Sequence, residues 1–406
     1  MNEWIKQLPA MLSGDEIKNK LEVLPEYDSG ICKADIQDRL LALSNIHKIF
    51  IPSDMSVEIY TKLYLAILRS LKIKTSTDAV KLRNQNYKII KQQESRGSVC
   101  GASSFTIIGQ SGIGKTSAIE RAIEVATEGK ILELTEANQQ IIPCIQIQCP
   151  FDCSVKSMLL DILHQIDIIL GTQYFERAII NRATVDILIG SVATTLLNHV
   201  ALLVIDEIQN IVNHRSGDKL VGALTQLINN SGVPIVMVGI PESEVFFQKT
   251  DYLARRAIGL RYDALPYDEV FIDFCCTIYS YQYTKSAEAF DEKIALWLYE
   301  HSGGSIAIVV ALIHDAQEIA ILEGSDYLSL AALDTAYKKR YEMVRKQQQK
   351  SITTSVCTKK KMDKKCVQQT VPSGSGFLYS EILQKTEGMD VFTMLKAHIP
   401  VLEVVL

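Results

Sequence analysis

The chain has 406 residues, of which 47% are apolar and 22% charged, and a formal net charge of -5. This length and apolar content allow two or three units with real cores, so most of the chain is expected to be globular. The N-terminus lacks a basic-then-apolar signal layout, and no apolar run reaches the roughly 18–20 residues of a membrane span. With nine scattered cysteines, these features predict a cytoplasmic protein with reduced thiols and no membrane partner.

Residues 1–100 are predicted to form a mostly helical N-terminal extension. Apolar residues recur at helical spacing in 35–49 and 57–71, and Ser53 or Asp54 is positioned to cap the second of these helices. A third candidate, 77–93, has a polar and basic surface. A DNA-facing role and a plain solvated face both fit that surface.

From residue 101 to residue 264, strand and helix patterns alternate. This alternation predicts an α/β fold, with a parallel sheet flanked by helices on both faces. The predicted strands are 104–108, 141–148, 201–205 and 234–239, and the predicted helices are 116–128, 155–169, 183–198 and 217–230. Each connecting segment is long enough for a right-handed crossover.

A phosphate-loop motif lies between the first of these strands and the first helix. The pattern G-x-x-x-x-G-K-[ST] is matched at every fixed position. The motif and the hydroxyl residue after it are Gly109, Gln110, Ser111, Gly112, Ile113, Gly114, Lys115, Thr116 and Ser117. Backbone N–H groups and the positive end of the helix can hold a polyphosphate there. We therefore expect ATP and Mg²⁺ as cofactors, with Lys115 on the β- and γ-phosphates and Thr116 on the metal.

Two adjacent acids, Asp206 and Glu207, follow the apolar run 201–205. Ligands of open α/β sheets bind at the carboxyl ends of the strands, which is where the pair is expected. Asp206 is predicted to bind the water shell of the magnesium ion. Glu207 is predicted to orient and deprotonate the attacking water. An acid pair that only caps the next helix is the other interpretation of this pattern.

A pair of arginines, Arg255 and Arg256, follows the last predicted strand. An arginine finger on a helix in this position would reach the γ-phosphate bound by a neighbouring subunit. An exposed or salt-bridged helix surface explains the pair equally well.

The remaining residues divide into three predicted segments. Residues 265–340 are expected to form a helical lid over the nucleotide, with a turn at 301–305. Residues 341–376 are basic, polar and without a buried face, which predicts a flexible tether. The apolar terminus 377–406 is expected to act as a hook for a partner or a neighbouring subunit, although a helix docked on its own domain fits as well.

Taken in order, these motifs resemble the TnsC/TniB family of AAA+ ATPases, which regulate target choice in transposition, including in CRISPR-associated transposons. The resemblance covers roughly residues 30–335. It is carried by LLVIDEIQ at 202–209, VGIPE at 238–242, LARR at 253–256 and HSGGSI at 301–306.

The resemblance implies an ATP-dependent homo-oligomer, a ring or helical filament, on double-stranded DNA. Such an oligomer would link a target selector of the TniQ or TnsD type to the transposase TnsB, with TnsA where present. Carried over residue by residue, it assigns the trans-acting finger to Arg256 or less favourably to Arg255. Lys130 and Lys156, which flank the second predicted strand, become the candidates for DNA contacts.

Two departures from this family pattern predict slow, regulatory hydrolysis. The strand 234–239 is followed by Ile240 with no Asn or Thr at the sensor position, and the lid turn continues Ser305-Ile306-Ala307 without an arginine. Alternatives to this reading are a replication-initiator-like or STAND-type signalling ATPase, and a scaffold that binds ATP without hydrolysing it. A replication initiator is expected to carry a winged-helix DNA reader after the lid, and few residues follow the lid here. A STAND-type sensor is expected to carry repeats, and the sequence shows none.

Overall fold

The computed structural model of this chain describes residues 3–75, 104–134, 139–211, 217–244 and 259–341. The chain divides into two units, Met1–Glu342 and Met343–Leu406, and every described residue belongs to the first. The predicted helix 77–93, the arginine pair at 255 and 256, the tether and the C-terminal hook lie outside the described residues.

The described secondary structure consists of helices and short strands. The strands are β1 (Phe105–Gly109), β2 (Leu132–Leu134), β3 (Gln139–Ile141), β4 (Ile145–Gln148), β5 (Leu203–Asp206), β6 (Ile235–Gly239), β7 (Leu260–Tyr262), β8 (Ser286–Ala287) and β9 (Tyr327–Leu328). The helices are α1 (Glu3–Gln7), α2 (Asp15–Leu21), α3 (Ile36–Leu43), α4 (Asp54–Lys74), α5 (Lys115–Thr127), α6 (Val155–Leu170), α7 (Tyr174–Ile180), α8 (Val185–His199), α9 (Gly217–Ser231), α10 (Glu269–Ser280), α11 (Glu292–Ser302), α12 (Ile306–Glu323) and α13 (Leu330–Ala336).

A parallel sheet with the strand order β4-β5-β6-β1-β7 forms the centre of the fold. In register, Gln148 of β4 lies beside Asp206 of β5, and Ile108 of β1 lies beside Gly239 of β6. Because all five strands are parallel, their carboxyl ends meet at one edge of the sheet. This edge is where the sequence predicts the phosphate loop and the acid pair.

Helices cover both faces of the sheet. Successive side chains of a strand point to opposite faces, so they enter two different cores. Leu203 and Ile205 enter the core formed with α6, α8 and α9, whereas Val204 enters the core formed with α4 and α5. All the residues of β5 and β6 are buried. The fold class predicted from the sequence is therefore confirmed.

Residues of the N-terminal segment, before residue 76, pack into two different hydrophobic cores. The 21-residue helix α4 packs along α5, and the side chain of Ser53 caps it by accepting a hydrogen bond from the backbone N–H of Ser56. Leu43 and Ile46 instead enter the core of the helices that follow the sheet. This segment therefore links the sheet to the C-terminal helices α10–α13.

The C-terminal helices form a core of their own around Phe271, Ile278, Leu298 and Leu312. The short parallel pair of β8 and β9 closes this unit, and a π-helical turn, Tyr337–Tyr341, follows α13. Within the described part of the chain no helix could span a membrane on its own, while α11 and α12 would qualify only as a pair bent by 118°.

A buried ion pair ties the N-terminal segment to the C-terminal helices. The Arg39 guanidinium donates to both carboxylate oxygens of Asp326 (2.5 and 3.2 Å) and to the Tyr283 carbonyl (3.2 Å). The side chains of Arg39 and Asp326 are 2% and 13% exposed. The hydrogen bond from Arg39 holds the pKa of Asp326 below its ordinary value, with a further contribution from Lys285.

Replacing Asp326 by Asn is expected to lower the free energy of unfolding by about 3 kcal/mol, because it leaves the buried Arg39 cation without its counter-ion. Asn can keep the left-handed backbone at this position (φ 52°). Chemical denaturation at pH 7 measures the loss. Asp334→Asn is the control, since its partner Lys338 is 65% exposed, and it should cost less than about 1 kcal/mol.

The same pair predicts a pH dependence of stability. Because folding lowers the pKa of Asp326, its contribution is complete above the ordinary aspartate pKa of about 3.9 and is lost as the pH falls through the lower folded-state value. The difference between wild type and Asp326→Asn should therefore shrink in strongly acidic buffer. An undiminished difference there would contradict this account of the pair.

Candidate nucleotide-binding site

The phosphate loop connects β1 to α5 at the carboxyl edge of the sheet. Gly112 and Gly114 have φ values of 81° and 87°, which L side chains rarely adopt. At Gly109 a Cβ atom would lie 2.6 Å from Ile113 Cδ1 and 2.7 Å from the Tyr262 carbonyl oxygen. The glycines of the motif are therefore required by backbone conformation and by close packing.

Lys115 begins α5 and folds back over the loop. Its Nζ atom donates to the carbonyl oxygens of Gly109 and Gln110, each at 2.7 Å. Burial lowers the pKa of Lys115, while the nearby carboxylates of Asp206 and Glu207 act to raise it. The loop thus holds a buried cation at the start of a helix, where anions bind favourably.

Thr116 and Asp206 are brought together although they are 90 residues apart in the chain. The Thr116 hydroxyl donates to Asp206 Oδ2 at 2.7 Å, and Asp206 Oδ1 accepts from the backbone N–H of Glu207 at 2.8 Å. Asp206 is only 3% exposed. A hydroxyl and a carboxylate at this separation are the hard oxygen donors that Mg²⁺ prefers, so these two residues fit the metal the motif implies.

Glu207 follows β5 in the left-handed region of backbone conformation, with φ 58°. Its side chain is exposed at the cavity, and its Oε2 atom accepts a hydrogen bond from Gln209 Nε2. The turn out of β5 therefore directs the two adjacent acids differently, with Asp206 buried against Thr116 and Glu207 open to solvent.

Two adjoining cavities open at the loop. The first, of about 240 Å³, is lined by charged and polar groups, among them Lys115, Thr116, Asp206, Glu207 and Gln209. The second, of about 270 Å³, is mainly apolar and is lined by Ile46, Ile49, Phe50, Met55, Phe274, Ile306 and Val310, together with His47. Gly112, Gly114, Ser117 and Ala307 line both.

His47 brings an imidazole to the wall of the apolar cavity. Burial lowers the pKa of His47, and the neighbouring His314 lowers it further while Asp315 opposes the shift. The ring is therefore neutral at pH 7, because even the ordinary pKa of histidine is about 6.5. An uncharged ring fits the mainly apolar lining of this cavity.

The start of α12 contacts the phosphate loop directly. The Gly112 carbonyl accepts from the backbone N–H of Ala307 (2.9 Å) and from the Ser305 hydroxyl (3.2 Å). A Cβ at Gly112 would lie 2.6 Å from Ser305 Oγ. The turn at 301–305 is thus a contact to the loop, a role that the sequence pattern did not predict.

The two lysines predicted as DNA contacts do not share a surface. Lys156 is exposed in the first turn of α6, at the carboxyl edge of the sheet. Lys130 follows the 13-residue helix α5, which runs about 20 Å back toward the other edge. Lys130 is also paired with Glu128 at 2.7 Å.

One cluster of possible metal ligands occurs away from the loop among the described residues. His314, Asp315 and Glu318 have side-chain ligand atoms within 4.8 Å of one another. Arg340 binds both carboxylates, at 2.6 and 2.5 Å. We interpret the cluster as an ion-pair network that fastens the π-helical turn to α12.

These geometries agree with the comparison of the sequence with family models. Residues 99–245 match the model of an AAA domain. The AAA domain therefore contains β1, the phosphate loop, the acid pair and β6, and the fold is that of an AAA+ P-loop ATPase. No sequence relative is found among curated proteins.

Solved structures show a distant likeness to this chain. One is the ORC1 protein of Aeropyrum pernix in complex with DNA, at 14% identity and a TM-score of 0.43, with 64% of each chain covered. Another is Drosophila ORC bound to DNA, at 15% identity and a TM-score of 0.44, with 84% of this chain and 72% of the other chain covered. A third is Cdc6p from Pyrobaculum aerophilum, at 13% identity and a TM-score of 0.41, with 63% of this chain and 65% of the other chain covered. This chain thus spans less than two thirds of the length of the ORC1 chain.

Proposed function

We propose that this protein binds ATP with Mg²⁺ and hydrolyses it. The observation that carries the proposal is a single cavity lined by a phosphate loop, a lysine, a threonine–aspartate pair and a glutamate open to solvent. A purely structural turn would need none of these groups together. Each of them has a separate task in phosphoryl transfer to water.

In this mechanism the loop and Lys115 hold the β- and γ-phosphates. Thr116 and Asp206 would hold the magnesium ion, which supplies charge neutralisation to the phosphates. Glu207 accepts a proton from the attacking water, because it is the carboxylate at the cavity that is not engaged with Thr116. In an oligomer, Arg256 or Arg255 of a neighbouring subunit would complete the site.

The apolar cavity is proposed to take the base and sugar of the nucleotide. It adjoins the phosphate side through Gly112 and Gly114, and its aromatic and aliphatic walls suit a planar purine. Its walls come from the N-terminal segment and from α10 and α12. Nucleotide binding would therefore stabilise the packing of these elements on the AAA domain.

We further propose that ATP drives assembly of this cytoplasmic protein on double-stranded DNA as a regulator of transposition. This step is supported by the resemblance of its motifs to the TnsC/TniB family. The partners would be other copies of the chain, the transposase TnsB with or without TnsA, and a TniQ- or TnsD-type selector. Lys156, at the carboxyl edge of the sheet, is the better placed of the two lysines for a phosphate contact.

The assembly is tested by electron microscopy and sedimentation of the full chain with linear duplex DNA. With a non-hydrolysable ATP analogue we expect rings or filaments on the duplex, and with ADP or no nucleotide we expect far fewer. Binding should fall steeply with salt, because backbone phosphate contacts release counter-ions. A chain that stays monomeric and off the DNA under saturating nucleotide would remove the assembly proposal.

The replication-initiator alternative is separated by DNA sequence dependence. A regulator that delegates target choice should bind unrelated duplexes with affinities within about 3-fold, since phosphate contacts carry no sequence information. An initiator that reads an origin should discriminate by at least about 1000-fold. Competition between several unrelated duplexes measures the ratio.

A further inference from the structure

The turn after β5 carries a glutamine whose surroundings suggest more than packing. Gln209 is half-buried, lines the phosphate-side cavity and donates from Nε2 to Glu207 Oε2. Its own turn is held in place on two sides. Asn210 donates to the Glu207 carbonyl (3.1 Å) and to the Cys149 carbonyl (2.9 Å), and Cys153 donates to the Asn210 carbonyl (2.9 Å).

The Gln209 amide occupies space beside the end of β6. A Cβ atom at Gly239 would lie 3.2 Å from Gln209 Oε1 and 2.7 Å from Ser243 Oγ. Gly239 is paired with Ile108, so it adjoins the start of the phosphate loop. The chain has no polar side chain at Gly239 or Ile240, and the Gln209 amide, from the turn that follows the neighbouring strand β5, lies where such a group would be.

Two polar atoms beside the end of β6 have unused hydrogen-bonding capacity. Within the described residues, neither Gln209 Oε1 nor Ser243 Oγ has a hydrogen-bond partner, although both atoms are buried. An amide NH₂ has two hydrogens, and Glu207 takes one of them. Buried polar atoms without partners are costly, so their presence at a cavity indicates a role when the cavity is filled.

We propose that Gln209 is the positioning residue of the Glu207 carboxylate. It supplies from the β5 turn the polar contact that the end of β6 lacks, and it joins Glu207 to the γ-phosphate side of the cavity. The inference rests on the proposed hydrolysis. A carboxylate that is held in one orientation accepts the proton of the attacking water more effectively than one that rotates freely.

The test uses Gln209→Met, which keeps side-chain length and removes the amide. ATP turnover (kcat) should fall roughly 10- to 100-fold, as expected for a misoriented catalytic group. The Kd of a non-hydrolysable ATP analogue and the thermal midpoint should hardly change. In a Glu207→Gln background the same substitution should have no further effect on kcat, because the group that it positions is already disabled.

Gln148→Met is the matched control. Gln148 is an exposed amide at the same sheet edge, beside Asp206 in the β4–β5 pair, and its loss should leave kcat within about 2-fold. The assignment is overturned if Gln209→Met turns over normally, if it slows the Glu207→Gln variant further, or if Gln148→Met produces the larger loss. Wild-type protein without any turnover would overturn the proposed hydrolysis as well, so the two failures are distinguishable.

Discussion

Lys115→Ala is expected to weaken ATP binding by about 100-fold. The ammonium group lies on the loop that would surround the phosphates, and hydrogen bonds to charged groups contribute about 1.5–3 kcal/mol each. Isothermal titration of the full chain with a non-hydrolysable ATP analogue and Mg²⁺ measures the loss. Assembly on DNA should disappear with it at nucleotide concentrations that saturate the wild type.

Folding must be separated from binding in this variant, because Lys115 also donates to the carbonyls of Gly109 and Gln110. The Lys115→Met variant keeps the apolar stem of the side chain and should lose the same affinity with less disturbance. Lys293→Ala removes an equal charge from an exposed position on α11 and should leave affinity unchanged. Nucleotide binding that survives both substitutions at position 115 would remove the proposed site.

Glu207→Gln is expected to abolish most hydrolysis while ATP binding is retained. Loss of a general base typically costs 10²- to 10⁴-fold in rate. Glutamine keeps the side-chain shape and can still accept the hydrogen bond from Gln209. The measurements are kcat from phosphate release and the Kd of ATP in the same buffer, where the Kd should change by less than about 3-fold.

This variant also separates a hydrolysing regulator from a non-hydrolysing scaffold. If ATP turnover dissolves the oligomer, Glu207→Gln should form DNA-bound assemblies that outlast those of the wild type. If the wild type shows no turnover and both proteins assemble identically, the scaffold interpretation is correct. Glu120→Gln, a neutralisation on the exposed face of α5, is the control for charge alone and should behave as wild type.

The elements that the sequence predicts best are those with a buried, uninterrupted apolar run. The strands found at Leu203–Asp206 and Ile235–Gly239 lie within one or two residues of their predicted bounds. The prediction of one strand over 141–148 is wrong, because the structure has β3 and β4 there. Pro143 has no N–H group for a strand ladder, and it lies in the break between the two.

Short or half-exposed elements were not predicted. The edge strand β7 has three residues, of which only Leu260 is buried. It is therefore too short to show the alternation of apolar and polar residues that predicts a strand. The helix α7 has seven residues and none of them is buried. The prediction of one helix over 35–49 is also too long. In the structure α3 ends at Leu43 and a 3₁₀ turn, Ser44–Lys48, follows it.

The sequence by itself determined the phosphate loop and the acid pair, because each is a run of neighbouring residues, and the alternation of strand and helix patterns predicted the parallel sheet. Only the tertiary structure decided that Thr116 meets Asp206, that Ser305 and Ala307 contact Gly112, and that Gln209 fills the space beside Gly239. The apolar cavity belongs to the same group, since Ile46, Phe274 and Val310 come from distant segments. Contacts of this kind join segments that are far apart in the chain, so no local pattern of residues predicts them.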